Sequence, residues 1–198
     1  MKFQRTPIYG FTTRADRRVA VLQNDILISE AYDPASGTPP PTRKSFIGIW
    51  DTGATGTVIC KKIADALGLQ PSGRTTVHVV GAGDTAHEYE ANTYLVNLYL
   101  PNNVAIVGVR VVEGSIKGGD LLLGMDVIGE GDFAVSREEG KTVWTFRAPS
   151  AATIDFVKEI DEYRKKYGGP RPATISDEER RKRKQKRKQE KRQRRRNR

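Results

Sequence analysis

A mainly β domain carrying one or two short helices, followed by a further helix and a basic tail, is the architecture this sequence predicts. Three observations predict it. Ala86 to Leu100 alternates, with Tyr94, Val96, Leu98 and Leu100 on one face, and the turn Pro101-Asn102-Asn103 leads into a second strand, Val104 to Val112. Two continuous apolar runs, Phe46 to Trp50 and Leu121 to Leu123, end close to glycine, as strands buried on both faces do. Beyond Pro149 the period becomes helical, and from Asp177 onward there is no apolar residue at all.

Taken in order, residues 1–17 are polar and weakly patterned, and are expected to be an arm that is flexible or orders against a partner. Arg18 to Tyr32 reads as two short strands around a Gln23-Asn24-Asp25 turn. Pro39-Pro40-Pro41 requires an extended surface loop, because consecutive prolines cannot donate to a sheet. Val58, Ile59, Ile63, Ala64 and Leu67 recur at helical spacing, with Thr57 as the expected cap and Gly68 and Pro71 as the stop. Cys60 falls on that helix and reads as a small buried apolar residue in preference to a reactive thiol. Thr75 to Val80 forms a strand whose hairpin tip is Gly81-Ala82-Gly83-Asp84. That tip lacks the Gly-Lys-Ser/Thr ending of a phosphate loop and no helical pattern follows, so it reads as a bendable hairpin tip. His78 and His87, on its two arms, read as surface or cross-strand residues. Asp126 is expected to cap a short helix after the Leu121 run. Phe133 to Ser136 and Thr142 to Phe146 make a last hairpin, and Trp50 and Trp144 are expected in the core. Phe156, Ile160, Tyr163 and Tyr167 define the C-terminal helix, residues 150–168, with Ser150 or Thr153 as cap and Glu162 to Lys166 as a stabilising pair.

Charge divides the chain sharply. Residues 177–198 hold 14 Lys or Arg against 4 Asp or Glu, which leaves the remainder balanced at 20 against 20. The stretch 169–198 is therefore expected to be a disordered basic tail, able to meet nucleic acid or another anionic surface through residues 177–198. One cysteine and two histidines are too few for an internal disulfide or a zinc site, so neither metal nor cofactor is expected. No apolar run is long enough to span a membrane and no signal-peptide pattern opens the chain, so a cytoplasmic location is expected.

The chemistry concentrates at Asp51-Thr52-Gly53-Ala54-Thr55. Asp51 follows the Phe46 to Trp50 run directly, so its carboxylate should stand where a core strand turns outward into a loop, a rigid mount for a reactive group. The plainer alternative is that Asp51 only begins a turn. The glycine-rich hairpin tip about 30 residues on, the β-rich stretch after it, and Leu121-Leu122-Leu123-Gly124 with Met125-Asp126 follow in order. Together these resemble the retropepsin-like aspartic proteases, the single-lobe relatives of pepsin, over residues 18 to 147. The resemblance implies a closed β-barrel lobe over residues 18–149, in which the Leu121 strand threads the loop carrying the catalytic Asp. It implies that Asp51 is catalytic, that Thr52 hydrogen-bonds across a two-fold axis, and that Gly53 and Ala54 line the substrate backbone. It also makes Gly81, Ala82, Gly83 and Asp84 a flap over the substrate.

Hydrolysis by carboxylates needs two of them sharing one proton. The chain carries one Asp-Thr-Gly, so the partner carboxylate is expected from a second copy, giving a homodimeric aspartic endopeptidase acting on peptide or protein substrates. The alternative from another class is a non-catalytic dimer of the same fold that presents two basic tails to nucleic acid or acts as a scaffold.

Overall fold

The computed structural model describes residues 7–33, 36–80 and 86–168, with side chains described at all of these except 79, 80, 86 and 87. The chain divides into two compact units, Met1–Ala152 and Thr153–Arg198. Within the first, the strands are β1 (Tyr9–Ala15), β2 (Gln23–Glu30), β3 (Lys44–Trp50), β4 (Val58–Ile59), β5 (Gly73–Val80), β6 (Ala86–Leu100), β7 (Val104–Glu113), β8 (Leu121–Leu123), β9 (Asp132–Ser136) and β10 (Thr142–Ala148). Two short helices, α1 (Lys61–Leu67) and α2 (Met125–Ile128), interrupt them, and the second unit contains α3 (Phe156–Tyr167).

The mainly β expectation holds, and the barrel closes. Strands β2-β3-β8-β4-β7-β6 pair in that order, and a further β2–β6 pairing joins the ends into a six-stranded ring. Strand β6 makes this possible because it is long: residues 86–93 pair with β5, while residues 96–99 pair with β2. Its inward side chains Tyr94, Val96, Leu98 and Leu100 are all buried, as the alternation predicts. The β6–β7 turn places Asn102 and Asn103 at positive φ, a conformation that asparagine tolerates better than most residues.

A second sheet, β1-β10-β9, packs beside the barrel. Phe11 from β1, Phe133 from β9 and Phe146 from β10 meet Trp50 of β3, whose ring stacks on Phe133 at 4.8 Å between centroids. One side chain ties the two sheets by hydrogen bonds. Asn24 of β2 accepts from the indole N–H of Trp50 (2.8 Å) and of Trp144 in β10 (2.9 Å), and donates to Thr13 of β1 (2.8 Å).

Several expectations are corrected. Over its described part the N-terminal arm is β1, paired with the chain's own β10 from Tyr9↔Ala148 to Ala15↔Thr142. Gln23-Asn24-Asp25 makes no turn but opens the single strand β2, because Asn24 is held by the two indoles from outside its own segment. Val58 and Ile59 are not helical; they form β4, parallel to β7 and antiparallel to β8. Helix α1 therefore starts later, with Cys60 at its N-cap and no side-chain cap, while Gly68 closes it in the left-handed conformation as expected. Cys60 is half-buried against the core. Helix α3 is capped by Asp155, whose Oδ1 accepts from the Val157 and Lys158 amides, and not by Ser150 or Thr153. Arg164 pairs with Asp161 in that helix at 3.5 Å.

Candidate active site

Strand β8 runs between the two ends of the loop that carries Asp51. It lies parallel to β3, with Trp50↔Leu123 in register, and antiparallel to β4, with Val58↔Leu122. The Asp51–Thr57 loop thus leaves β3, passes over the end of β8 and returns as β4. An apolar-apolar-apolar-Gly sequence suits this position, since Leu121 and Leu123 are fully buried and the backbone of the loop must then come close. A Cβ at Gly124 would lie 2.5 Å from the carbonyl carbon and oxygen of Gly56, so only glycine fits the crossing.

Asp51 is half-buried at the end of β3. Its amide donates to the Leu123 carbonyl (3.0 Å), its carbonyl accepts from the Ala54 amide (3.2 Å), and its Oδ1 accepts from the Gly53 amide (2.9 Å). Among the described residues Gly53 is the one hydrogen-bond partner of that carboxylate. Backbone groups therefore fix the aspartate's position while one carboxylate oxygen has no bond from any described residue, as a group that is to meet water or a second carboxyl requires. Thr52 and Gly53 are exposed and Ala54 half-buried around it.

The other end of the loop is clamped by residues that sequence reasoning did not pair. Thr57, fully buried, donates its amide to Asp126 Oδ2 (2.9 Å) and its hydroxyl to Asp126 Oδ1 (2.7 Å), and its hydroxyl oxygen accepts the Gly124 amide (3.1 Å). The Met125 amide adds a bond to the Ala54 carbonyl (2.9 Å). Asp126 also accepts from the Val127 amide in the first turn of α2, but most of its bonding capacity goes to the loop. Thr57 is thus a loop clamp and not a helix cap. Asp120 does similar work behind β3: its carboxylate accepts from the Ile47 amide (3.0 Å) and the Lys62 ammonium (2.9 Å). Neither pairing has a local sequence signal, because the partners are far apart in the chain.

Beside Thr52 the surface dips into an apolar depression between Ile49, Phe133, Val21 and Val135, with Arg137 at its rim. Val21 is 50% exposed and Val135 43% exposed, a high figure for two valines side by side on one patch. The expected flap residues Gly81, Ala82, Gly83 and Asp84 lie outside the described residues, as does the tail 169–198. His78 pairs with Glu88, its cross-strand partner, at 2.9 Å, in keeping with a surface role. Among the described residues no three His, Cys, Asp or Glu side chains are grouped to hold a metal ion, and no helix is long and apolar enough to cross a membrane.

The barrel's aspartate loop, spanned by an apolar-Gly strand, is the arrangement that the sequence resemblance implies. Residues 43–130, which span that loop and the strand crossing it, match the family described as "gag-polyprotein putative aspartyl protease". The chain is also similar to a crystal structure of a retropepsin-like aspartic protease from Rickettsia conorii, at 13% identity and a TM-score of 0.42, covering 72% of this chain and 96% of that one. No curated protein matches the chain.

Proposed function

We propose that the chain is a homodimeric aspartic endopeptidase in which the Asp51 carboxylates of two copies share one proton across a two-fold axis. The observation that carries this reading is the state of Asp51: fixed by two backbone bonds and by the Gly53 amide on Oδ1, with the other carboxylate oxygen unoccupied by any described residue. The other acidic side chain of the same loop crossing, Asp126, is spent on Thr57, so among the described residues that crossing offers no second carboxylate of that kind. One carboxylate of the pair, ionised, takes a proton from water; the other, neutral, hydrogen-bonds the scissile carbonyl. The water attacks the carbonyl carbon, and the proton returns to the leaving amine.

Two surface features support a partner at this end of the domain. Strand β9 is the outer strand of its sheet, so its second edge still carries donors and acceptors that an identical strand can pair. The apolar depression beside Thr52, formed in part by Phe133 and Val135 of β9, is where such a partner would cover exposed valines. In this reading Thr52 bonds across the axis, Gly53 and Ala54 hold the substrate backbone, and residues 81–84 close over it. Asp51→Asn tests it: cleavage of a peptide library should vanish while the mass in solution remains that of the wild type, and full activity in the variant would refute it.

The tail serves a separate purpose in the same proposal. Fourteen cations in residues 177–198 form a polycation without aromatic residues, suited to phosphate backbones and not to reading bases. Deleting these residues should abolish salt-sensitive retention on heparin and leave peptide cleavage unchanged; retention that survives would assign it elsewhere.

A further inference from the structure

We infer that α3 is a self-association element, pairing in parallel with α3 of a second copy as a short two-stranded coiled coil. Its 12 residues hold no buried side chain. Phe156 is 64% exposed, Ile160 47%, Tyr163 63% and Tyr167 62%. A helix of this length is marginal in water, and its stability must come from burying an apolar face. The four side chains are spaced four, three and four apart, which places them at successive d, a, d and a positions of a heptad, the narrow seam of a coiled coil and not the broad face of a helix lying on a core.

The flanking charges choose the occupant and the direction. On this assignment Glu159 stands at g and Arg164 at the following e. In a parallel pair a g side chain meets the e side chain five residues on in the other helix, so Glu159 of each copy faces Arg164 of the other, twice by symmetry. Among the described residues the half-buried Arg164 pairs with Asp161 at 3.5 Å, a long and partly solvated contact and so a weak competitor. An anionic membrane is a poorer match. Asp155, Glu159, Asp161 and Glu162 offset Lys158, Arg164, Lys165 and Lys166, so the cap and helix carry no net charge towards such a surface, and the polybasic run begins only well beyond the helix. The length of the contact rests on the proposed dimer: two helices joined to a domain that dimerises would meet at high effective concentration, so fewer than two heptads suffice.

The pairing is independent of catalysis at Asp51, and its test reads association of the full chain by sedimentation equilibrium over a dilution series. Ile160→Asp should raise the dissociation midpoint by about tenfold or more, since it removes an apolar seam residue from both copies. Arg164→Glu should also weaken association, and adding Glu159→Arg should restore it to within about twofold of the wild type, as expected for an exchanged pair in contact. An unchanged midpoint for Ile160→Asp overturns the inference, and so does a double variant no tighter than Arg164→Glu alone. Binding of the wild type to phosphatidylserine vesicles that Ile160→Asp abolishes without moving the midpoint would give the stripe to a lipid surface and overturn it equally. Peptide cleavage retained by these variants at saturating protein concentration would leave the dyad at Asp51 standing whichever way association responds.

Discussion

Thr57 carries more of the site than any residue other than Asp51 itself. Its hydroxyl both donates to Asp126 and accepts from the Gly124 amide, so Thr57→Val leaves the buried Gly124 N–H without an acceptor and takes one of two donors from Asp126 Oδ1, which keeps the Val127 amide. Losses of this kind cost about 1–3 kcal/mol for each group left without a partner. Thr57→Val should therefore lower the urea midpoint and cut turnover together, because the Asp51 loop loses its anchor, whereas Thr57→Ser should keep most of both. A valine variant as stable and active as the wild type would mean that the clamp is dispensable. The position of Asp51 at the end of a core strand was legible in the sequence because its signal is local: an apolar strand, one carboxylate, then glycine. The clamp was not. Threonine ahead of a helical spacing reads as a cap, and the bond that decides its role goes to a residue 69 positions away.

Between elements, the informative contact is Asn24, which joins β2, β3, β1 and β10. Trp50 and Trp144 are 6% and 5% exposed, and each directs its indole N–H at the same amide oxygen. Asn24→Leu should cost about 2–4 kcal/mol in chemical denaturation, from two indoles left without an acceptor, while Asn24→Asp keeps the acceptor and should cost far less. Equal losses in the two variants would show that packing and not hydrogen bonding matters there. Strands with period-two patterns, such as β6 and β10, were readable; β4 was not, since two residues between a loop and a helix acquire strand character only from β7 and β8 on either side. The reading of Gln23-Asn24-Asp25 as a turn failed for a related reason, the composition of a turn occurring where a tertiary bridge is built. Two carboxylates make the elements sensitive to acid. Burial pushes the Asp120 carboxyl up, but the Ile47 amide and the Lys62 ammonium outweigh it and hold it below the ordinary carboxylate value. Asp132, in β9, is held lower by the Ala151 amide, the Ser150 hydroxyl and the Arg147 guanidinium. Both groups titrate lower folded than unfolded, so their contribution is complete above about pH 5 and is lost as pH falls through the folded values. Thermal midpoints should stay level down to about pH 5 and then drop, and Asp120→Asn should flatten that drop. A midpoint independent of pH down to about pH 3 would contradict the assignment.

For the whole molecule, the division is between a charge-balanced domain and a C-terminal segment that carries the entire net charge of +10. On the proposed function the barrel supplies half of a catalytic site, and α3 and the tail bear on where, and with what, two such halves are found. The central claim is that the second half is another copy of the same residue. It is tested most directly by mixing wild-type chains with Asp51→Asn chains, allowing subunits to exchange, and measuring peptide cleavage against the fraction of wild type. If both carboxylates of a dyad must come from intact chains, activity follows the square of that fraction, and an equal mixture retains about a quarter of the wild-type rate. A linear fall, with about half the rate in the equal mixture, would mean that each chain cleaves on its own and would contradict the shared dyad.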